Sequence, residues 1–197
     1  MPPLEPQQLG AALKRLRDDP EFFTRSLDHN YRLYSESRKN QKYYANRLIV
    51  YGRYNMAYEV ALAIGGSGAI ATWAIWKSGI WHSAWAIIIG AVAVLAALKP
   101  LLQLGKQIER YSQRHAEWNT HYLELKDLVD AIQTARTIDE EMLKSFEKAR
   151  ARQKKIRSAD DPGISKRLMN KFTAETEAEI AKENLWRPNV GMSPVHS

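Results

Sequence analysis

The sequence contains no cysteine and shows no recognisable catalytic or metal-binding motif. The absence of cysteine excludes disulfide bonds and thiolate metal sites. Neither an HExxH motif nor another ligand spacing connects its five histidines, which are His29, His82, His115, His121 and His196. Ser67 and Ser83 have no candidate triad partner in the sequence. We therefore predict a protein that is not an enzyme and holds no metal or cofactor.

Formal charge is scarce in the middle third of the chain. Val60 to Trp76 runs for about seventeen residues without a charge, and Ile80 to Leu98 for about nineteen. Roughly twenty apolar residues cross a ~30 Å hydrocarbon core as a helix, and extending the first run to Tyr58 reaches that length. Only Lys77, Ser78 and Gly79 separate the runs. The sequence thus predicts a transmembrane helical hairpin with spans at about 58–76 and 80–98. The alternative is the buried core hairpin of a soluble α-helical protein.

Basic residues flank this hairpin on both outer sides. The turn carries only Lys77. The five basic residues before the hairpin are Arg38, Lys39, Lys42, Arg47 and Arg53, and the four after it are Lys99, Lys106, Arg110 and Arg114. Because Lys and Arg accumulate on the cytoplasmic side of a membrane, we expect both termini in the cytoplasm. The predicted location is the inner (plasma) membrane, with the lipid bilayer as a partner.

Small residues recur at helical spacing in each predicted span. They are Ala61, Gly65, Gly68 and Thr72 in the first and Ala86, Gly90, Ala93 and Ala97 in the second. Small side chains let helix backbones approach closely, either within one hairpin or between protomers of a homo-oligomer. Glu59 is the acidic residue at the membrane boundary, where a carboxylate either lines an ion path or reaches to the interface. These residues are our candidates for helix packing or a pore.

The flanking segments are predicted to be helices that pack on each other as a cytoplasmic stalk. Apolar and aromatic residues alternate at steps of three and four on both sides of the hairpin. The predicted seam comprises Tyr44, Leu48, Tyr51, Leu104, Ile108, Tyr111, His115, Trp118 and Tyr122. Since no segment shows a strand pattern, the class is all-α.

These patterns divide the chain into four parts. Residues 1–30 form an N-terminal amphipathic segment, and residues 31–136 form the hairpin with its stalk helices. Residues 137–186 form cytoplasmic helices, the first of which begins with a capping box at Thr137 and Glu140. Residues 187–197 form a mobile tail.

A basic run follows the stalk, within a chain of net charge +7. It comprises Lys148, Arg150, Arg152, Lys154, Lys155 and Arg157. Such a run is a solvated helix face, a surface for anionic headgroups, or a site for nucleic acid or nucleotide. Because no aromatic residue is interleaved with these charges, stacking on single-stranded nucleic acid is disfavoured, and nucleic acid is not expected as a partner.

The chain resembles the SLATT family, the two-transmembrane effectors of bacterial nucleotide-signalling conflict systems. The resemblance covers roughly residues 28–158 and rests on a Tyr/Arg-rich helix (YRLYSESRKNQKYYANRLIVYGRYN), a tightly turned hairpin and a long following helix (LLQLGKQIERYSQRHAEWNTHYLEL). It implies an effector that oligomerises and permeabilises the inner membrane in antiviral defence. It also implies a separate nucleotide-sensing protein as the trigger.

Two functions are therefore expected from the sequence. The first is a membrane effector that oligomerises and perturbs or permeabilises the membrane on a cytoplasmic signal. The second is a membrane anchor or scaffold that recruits a soluble partner through its cytoplasmic helices.

Overall fold

The computed structural model describes residues 6–73, 81–158 and 163–188. Its helices are α1 (Pro6–Asp18), α2 (Pro20–Trp73), α3 (Trp81–Leu102), α4 (Leu104–Ala135), α5 (Glu140–Ser158) and α6 (Lys166–Lys182). Within these ranges the regular structure is α-helical throughout, which agrees with the all-α class. The predicted turn at Lys77–Gly79 lies outside the described residues.

Aspartates begin two of the helices. Asp19 Oδ1 accepts hydrogen bonds from the backbone N–H groups of Glu21 and Phe22, both at 3.0 Å, and Pro20 occupies the first helical position. In α5, Asp139 Oδ1 accepts from the N–H of Met142 at 2.7 Å. The cap of α5 is therefore Asp139, two residues beyond the predicted Thr137.

Three helices end beside residues in the left-handed conformation. Gln103 (φ 42°) separates α3 from α4, Arg136 (φ 51°) follows α4, and Asn184 (φ 49°) follows α6. A left-handed residue reverses the helical backbone and so ends the helix. The second predicted span ended at about residue 98, whereas α3 continues to Leu102.

The chain forms two compact units. Unit 1 comprises Met1–Tyr43 and His115–Ser197, and unit 2 comprises Tyr44–Arg114. The core of unit 1 is built from α2, α4 and α5, with Leu16 added from α1 and Ile138 from the segment between α4 and α5. Its buried apolar residues are Leu16, Leu27, Tyr31, Leu33, Tyr34, Tyr122, Leu125, Val129, Ile132, Ile138, Phe146 and Ala149.

Unit 2 is held by tyrosines. The ring of Tyr111 lies 5.0 Å from that of Tyr51 and 6.3 Å from that of Tyr44, and the Arg47 guanidinium lies 6.0 Å from the Tyr111 ring centre. The buried Tyr58 donates its hydroxyl hydrogen to the carbonyl of Leu95, which ties α2 to α3.

The predicted membrane spans are not supported. Within residues 6–73, 81–158 and 163–188, no helix is long and apolar enough to cross a membrane. The predictions of a two-span transmembrane hairpin, a pore-forming membrane protein and an inner-membrane location are therefore wrong.

Candidate functional site

A layer of tyrosine and glutamate joins α2, α4 and the end of α6 in unit 1. The rings of Tyr34 and Tyr122 stack at 5.5 Å with 19° between their planes. Tyr34 donates its hydroxyl hydrogen to the Glu183 carboxylate, with oxygen distances of 3.1 and 3.2 Å. Burial raises the pKa of Tyr34 well above its ordinary value, so the phenol remains a donor to the carboxylate.

Ion pairs at the surface of unit 1 also join α2 to α6. Lys42 Nζ lies 2.5 Å from Glu179 Oε1, and Arg38 Nε lies 3.5 Å from Glu179 Oε2. The hydrogen bond from Lys42 lowers the pKa of Glu179. Because the Glu179 side chain is 46% exposed, water screens this pair and its stabilising effect is small.

The basic run lies on α5, and half of it is used in ion pairs. Arg152 pairs with Glu124, Arg157 with Glu36 at 2.8 Å, and Arg150 with Glu147 at 3.9 Å. Lys148, Lys154 and Lys155 are exposed and have no ion-pair partner among the residues that the structure describes. The run therefore contributes both to packing and to an exposed positive surface.

The predicted stalk seam is divided between the two units. Tyr44, Tyr51 and Tyr111 come together in unit 2, whereas Trp118 and Tyr122 are buried in unit 1. The remaining members are half-buried: Leu48, Leu104, Ile108 and His115. Each unit thus uses its own part of the seam.

The small-residue candidates fall on α2 and α3. Gly65, Gly68, Thr72 and Ala86 belong to these helices, but their surroundings lie outside the described side chains. Ala61 is half-buried, and Glu59, which makes an interaction, is exposed. The exposed members are Gly90, Ala93 and Ala97.

Large apolar side chains project from α3 into solvent. Ile87 is 72% exposed, Val94 60%, Leu98 38% and Leu102 46%. With the exposed Ala91 they follow steps of four, three, four and four, so they share one side of the helix. We call this set the α3 row. A second set projects from α2, where Ile49, Met56 and Val60 are 53%, 70% and 47% exposed.

Sequence reasoning missed two features of these units. The α3 row was assigned to lipid because its residues were taken as part of a span. His121 was considered only as a metal ligand, although it lies between the seam positions Trp118 and Tyr122 and is fully buried. Its position beside two predicted core residues was the available signal.

The described residues contain no group of three or more His, Asp or Glu side chains that could hold a metal ion. Comparison with protein-family models, with curated proteins and with solved structures finds no match. The candidate functional features are therefore two surfaces, the α3 row of unit 2 and the exposed lysines of α5 in unit 1.

Proposed function

We propose that this chain is a non-enzymatic effector that works by self-assembly. In this proposal unit 2 provides the assembly surface, and unit 1 receives the signal or the partner protein. The observation that carries the proposal is the α3 row, whose four large apolar side chains are 38–72% exposed. Contiguous exposed apolar side chains mark interaction surfaces, because removing their apolar area from water stabilises a complex by about 25 cal/mol per Å².

The occupant that fits the α3 row is a second copy of the chain. From Ile87 to Leu98 the sequence has no formal charge, so a partner that covers it has to be uncharged to avoid burying an unpaired charge. Unit 2 of another copy offers such a surface on its own α3 row. Steps of three and four residues are the spacing at which two helices interlock their side chains.

Space beside the α3 row also favours close approach of another helix. Gly90 is exposed, and a Cβ atom there would meet nothing within 4 Å. A glycine inside a helix costs about 0.5–1 kcal/mol relative to alanine, and no contact within the described chain requires it. A neighbouring copy that packs against the bare backbone would account for it.

The resemblance to SLATT effectors supports the same class of function. Oligomerisation on a signal delivered by a separate nucleotide-sensing protein is the part of that resemblance which we retain. The membrane-spanning part is not retained.

A second candidate function is a scaffold that recruits a partner protein through unit 1. It is favoured by the exposed Lys148, Lys154 and Lys155, which lack ion-pair partners among the described residues. Buried Phe146, Ala149 and Ile156 hold α5 in place, and the positive surface formed by these lysines fits an acidic protein. Weakened binding of such a partner by the triple substitution to Ser would support this candidate.

The self-assembly proposal is tested by the mass of the full chain in solution. Light scattering over about 1 to 100 µM protein should show an oligomer, since assembly depends on protein concentration. Val94→Glu should give a monomer, because the carboxylate would be buried in an apolar interface. The matched control is Leu123→Glu, which changes an apolar residue of unit 1 that is 47% exposed and should leave the mass unchanged. A monomeric wild type, an oligomeric Val94→Glu variant, or a monomer that sediments with lipid vesicles would contradict the proposal.

A further inference from the structure

His121 is a buried titratable residue at the junction of three helices of unit 1. Its side chain, on α4, is fully buried, and its ring lies edge-on to Trp118 at 6.0 Å. Its hydrogen-bond partner is Gln153 on α5, which is 2% exposed. Gln153 in turn contacts Glu36 on α2. One imidazole therefore takes part in a chain of contacts that holds α5 against both neighbours.

The partners of Gln153 fix the orientation of its amide. Its Nε2 donates to Glu36 Oε2 at 2.8 Å, and Arg157 Nη2 donates to the same oxygen at 2.8 Å. An ionised carboxylate only accepts, so the amide nitrogen has to face Glu36. The amide oxygen then faces His121, with 3.3 Å between Oε1 and the ring Nε2.

This orientation determines where the imidazole hydrogen lies. Because the Gln153 oxygen only accepts, His121 Nε2 has to carry the hydrogen. The other ring nitrogen, Nδ1, then carries a lone pair. Nδ1 is buried and has no hydrogen-bond partner among the described residues. A second proton on the ring would therefore produce a buried cation whose new N–H has no acceptor.

The charged groups nearest the ring are already paired with each other. Glu124 on α4 pairs with Arg152 on α5, and Glu36 on α2 pairs with Arg157 on α5. No described carboxylate accepts a hydrogen bond from the ring. Burial lowers the pKa of His121 below its ordinary value, which agrees with this geometry.

We propose that protonation of His121 releases α5 from unit 1. The neutral ring holds α5 against α4 and α2, and protonation of Nδ1 detaches α5 from both helices. Detachment relieves the buried cation, since the ring then reaches water. It also exposes Phe146 and Ile156, which α5 buries in the closed state. The switch lies in unit 1 and requires no self-assembly, so it succeeds or fails independently of the proposed function.

The direction of the pH effect follows from the lowered pKa. The closed state binds no proton at His121, whereas the released state takes one up below the ordinary value of about 6.5. The closed state is therefore fully favoured above that pH and is weakened as pH falls towards the lowered pKa. Over that interval the released population rises about tenfold for each pH unit.

The experiment is hydrogen exchange of the full chain as pH falls from about 8 to about 5, with rates corrected for intrinsic exchange. The amides of α5 should exchange about tenfold faster per pH unit below 6.5, ahead of those of α4 and α6. His121→Gln keeps an N–H donor for Gln153 but cannot titrate, so it should remove the acceleration. His29→Gln, at an exposed histidine, is the control and should leave the acceleration intact.

A second measurement requires no substitution. Nitrogen–proton correlation spectra of the imidazoles should show His121 protonated at Nε2 and titrating below the ordinary pKa. A hydrogen on Nδ1, an ordinary pKa, acceleration that persists in His121→Gln, or equal loss of protection in all helices of unit 1 would overturn the proposal.

Discussion

The hydroxyl of Tyr31 on α2 donates a hydrogen bond of 2.7 Å to the backbone carbonyl of Trp186, which lies beyond the end of α6. The Trp186 ring meets Phe23 edge-to-face at 6.1 Å, and Arg187 pairs with Asp28 at 3.3 Å. These contacts fix the segment that follows α6 along α2. Arg187, the first residue of the predicted tail, makes this ion pair at the surface.

Tyr31→Phe should lower the free energy of unfolding by about 1 kcal/mol, because the substitution removes one hydrogen bond and leaves the ring in place. Trp186→Ala should cost more, since the apolar contact with Phe23 is lost as well. Urea unfolding measures both effects. Tyr54→Phe, at a ring that is 63% exposed, is the control and should change little. Equal stability of Tyr31→Phe and wild type would show that the segment is not held in solution.

Two residues near the start of α5, Thr137 and Asp139, can be compared as its N-terminal cap. Asp139→Ala should destabilise the chain by about 1 kcal/mol, because the N–H of Met142 loses its acceptor. Thr137→Ala should be nearly neutral, since Thr137 is exposed and lies outside α5. The midpoint of urea unfolding compares them. A larger loss of stability in Thr137→Ala than in Asp139→Ala would support the capping box predicted from the sequence.

Thr176 offers a substitution that should stabilise the chain. Its hydroxyl is buried and has no hydrogen-bond partner among the described residues, so Thr176→Val removes an unsatisfied polar atom at nearly constant shape. The expected gain is about 1 kcal/mol in thermal or urea unfolding. On the same helix, Thr173 donates to the carbonyl of Met169 at 2.9 Å, and Thr173→Val should bring no gain. Destabilisation by Thr176→Val would reveal a partner for this hydroxyl.

The raised pKa of Tyr34 should make the folded chain less stable in alkali. Its pKa is raised in the folded chain, chiefly by burial, so the folded state keeps a proton that the unfolded state loses above about pH 10. The unfolded state then binds fewer protons, and stability falls as pH rises. Tyr34→Phe should show a shallower loss of stability in urea unfolding between about pH 9.5 and 11.5, the interval that begins near the ordinary tyrosine pKa. Tyr54→Phe should keep the wild-type slope, and identical slopes for both variants would refute the assignment.

The sequence was sufficient to predict the all-α class and the aromatic positions of the seam. Steps of three and four residues identify Tyr111, Trp118 and Tyr122, and the structure buries all three. Periodicity reports which side of a helix is apolar, but it does not report which helix covers that side. For this reason the seam was assigned to one stalk, whereas it contributes to two units.

The errors arose where one pattern has several physical causes. An uncharged apolar run fits lipid, a protein core or an interface between copies. The length of the run and its basic flanks favoured lipid for Ile87 and Val94. The tautomer of His121 depends on the amide of Gln153, which is 32 residues away in the sequence. Such a relationship follows from the packing of α4 and α5 and has no local signal.

Chemical labelling at Val94 tests most directly whether another copy covers the α3 row. Because the chain has no cysteine, Val94→Cys introduces a single reactive thiol, and Leu123→Cys provides the same probe on unit 1. We predict that the maleimide reaction at position 94 slows as protein concentration rises, while the reaction at position 123 does not change. Equal, concentration-independent rates at both positions would contradict self-assembly through the α3 row.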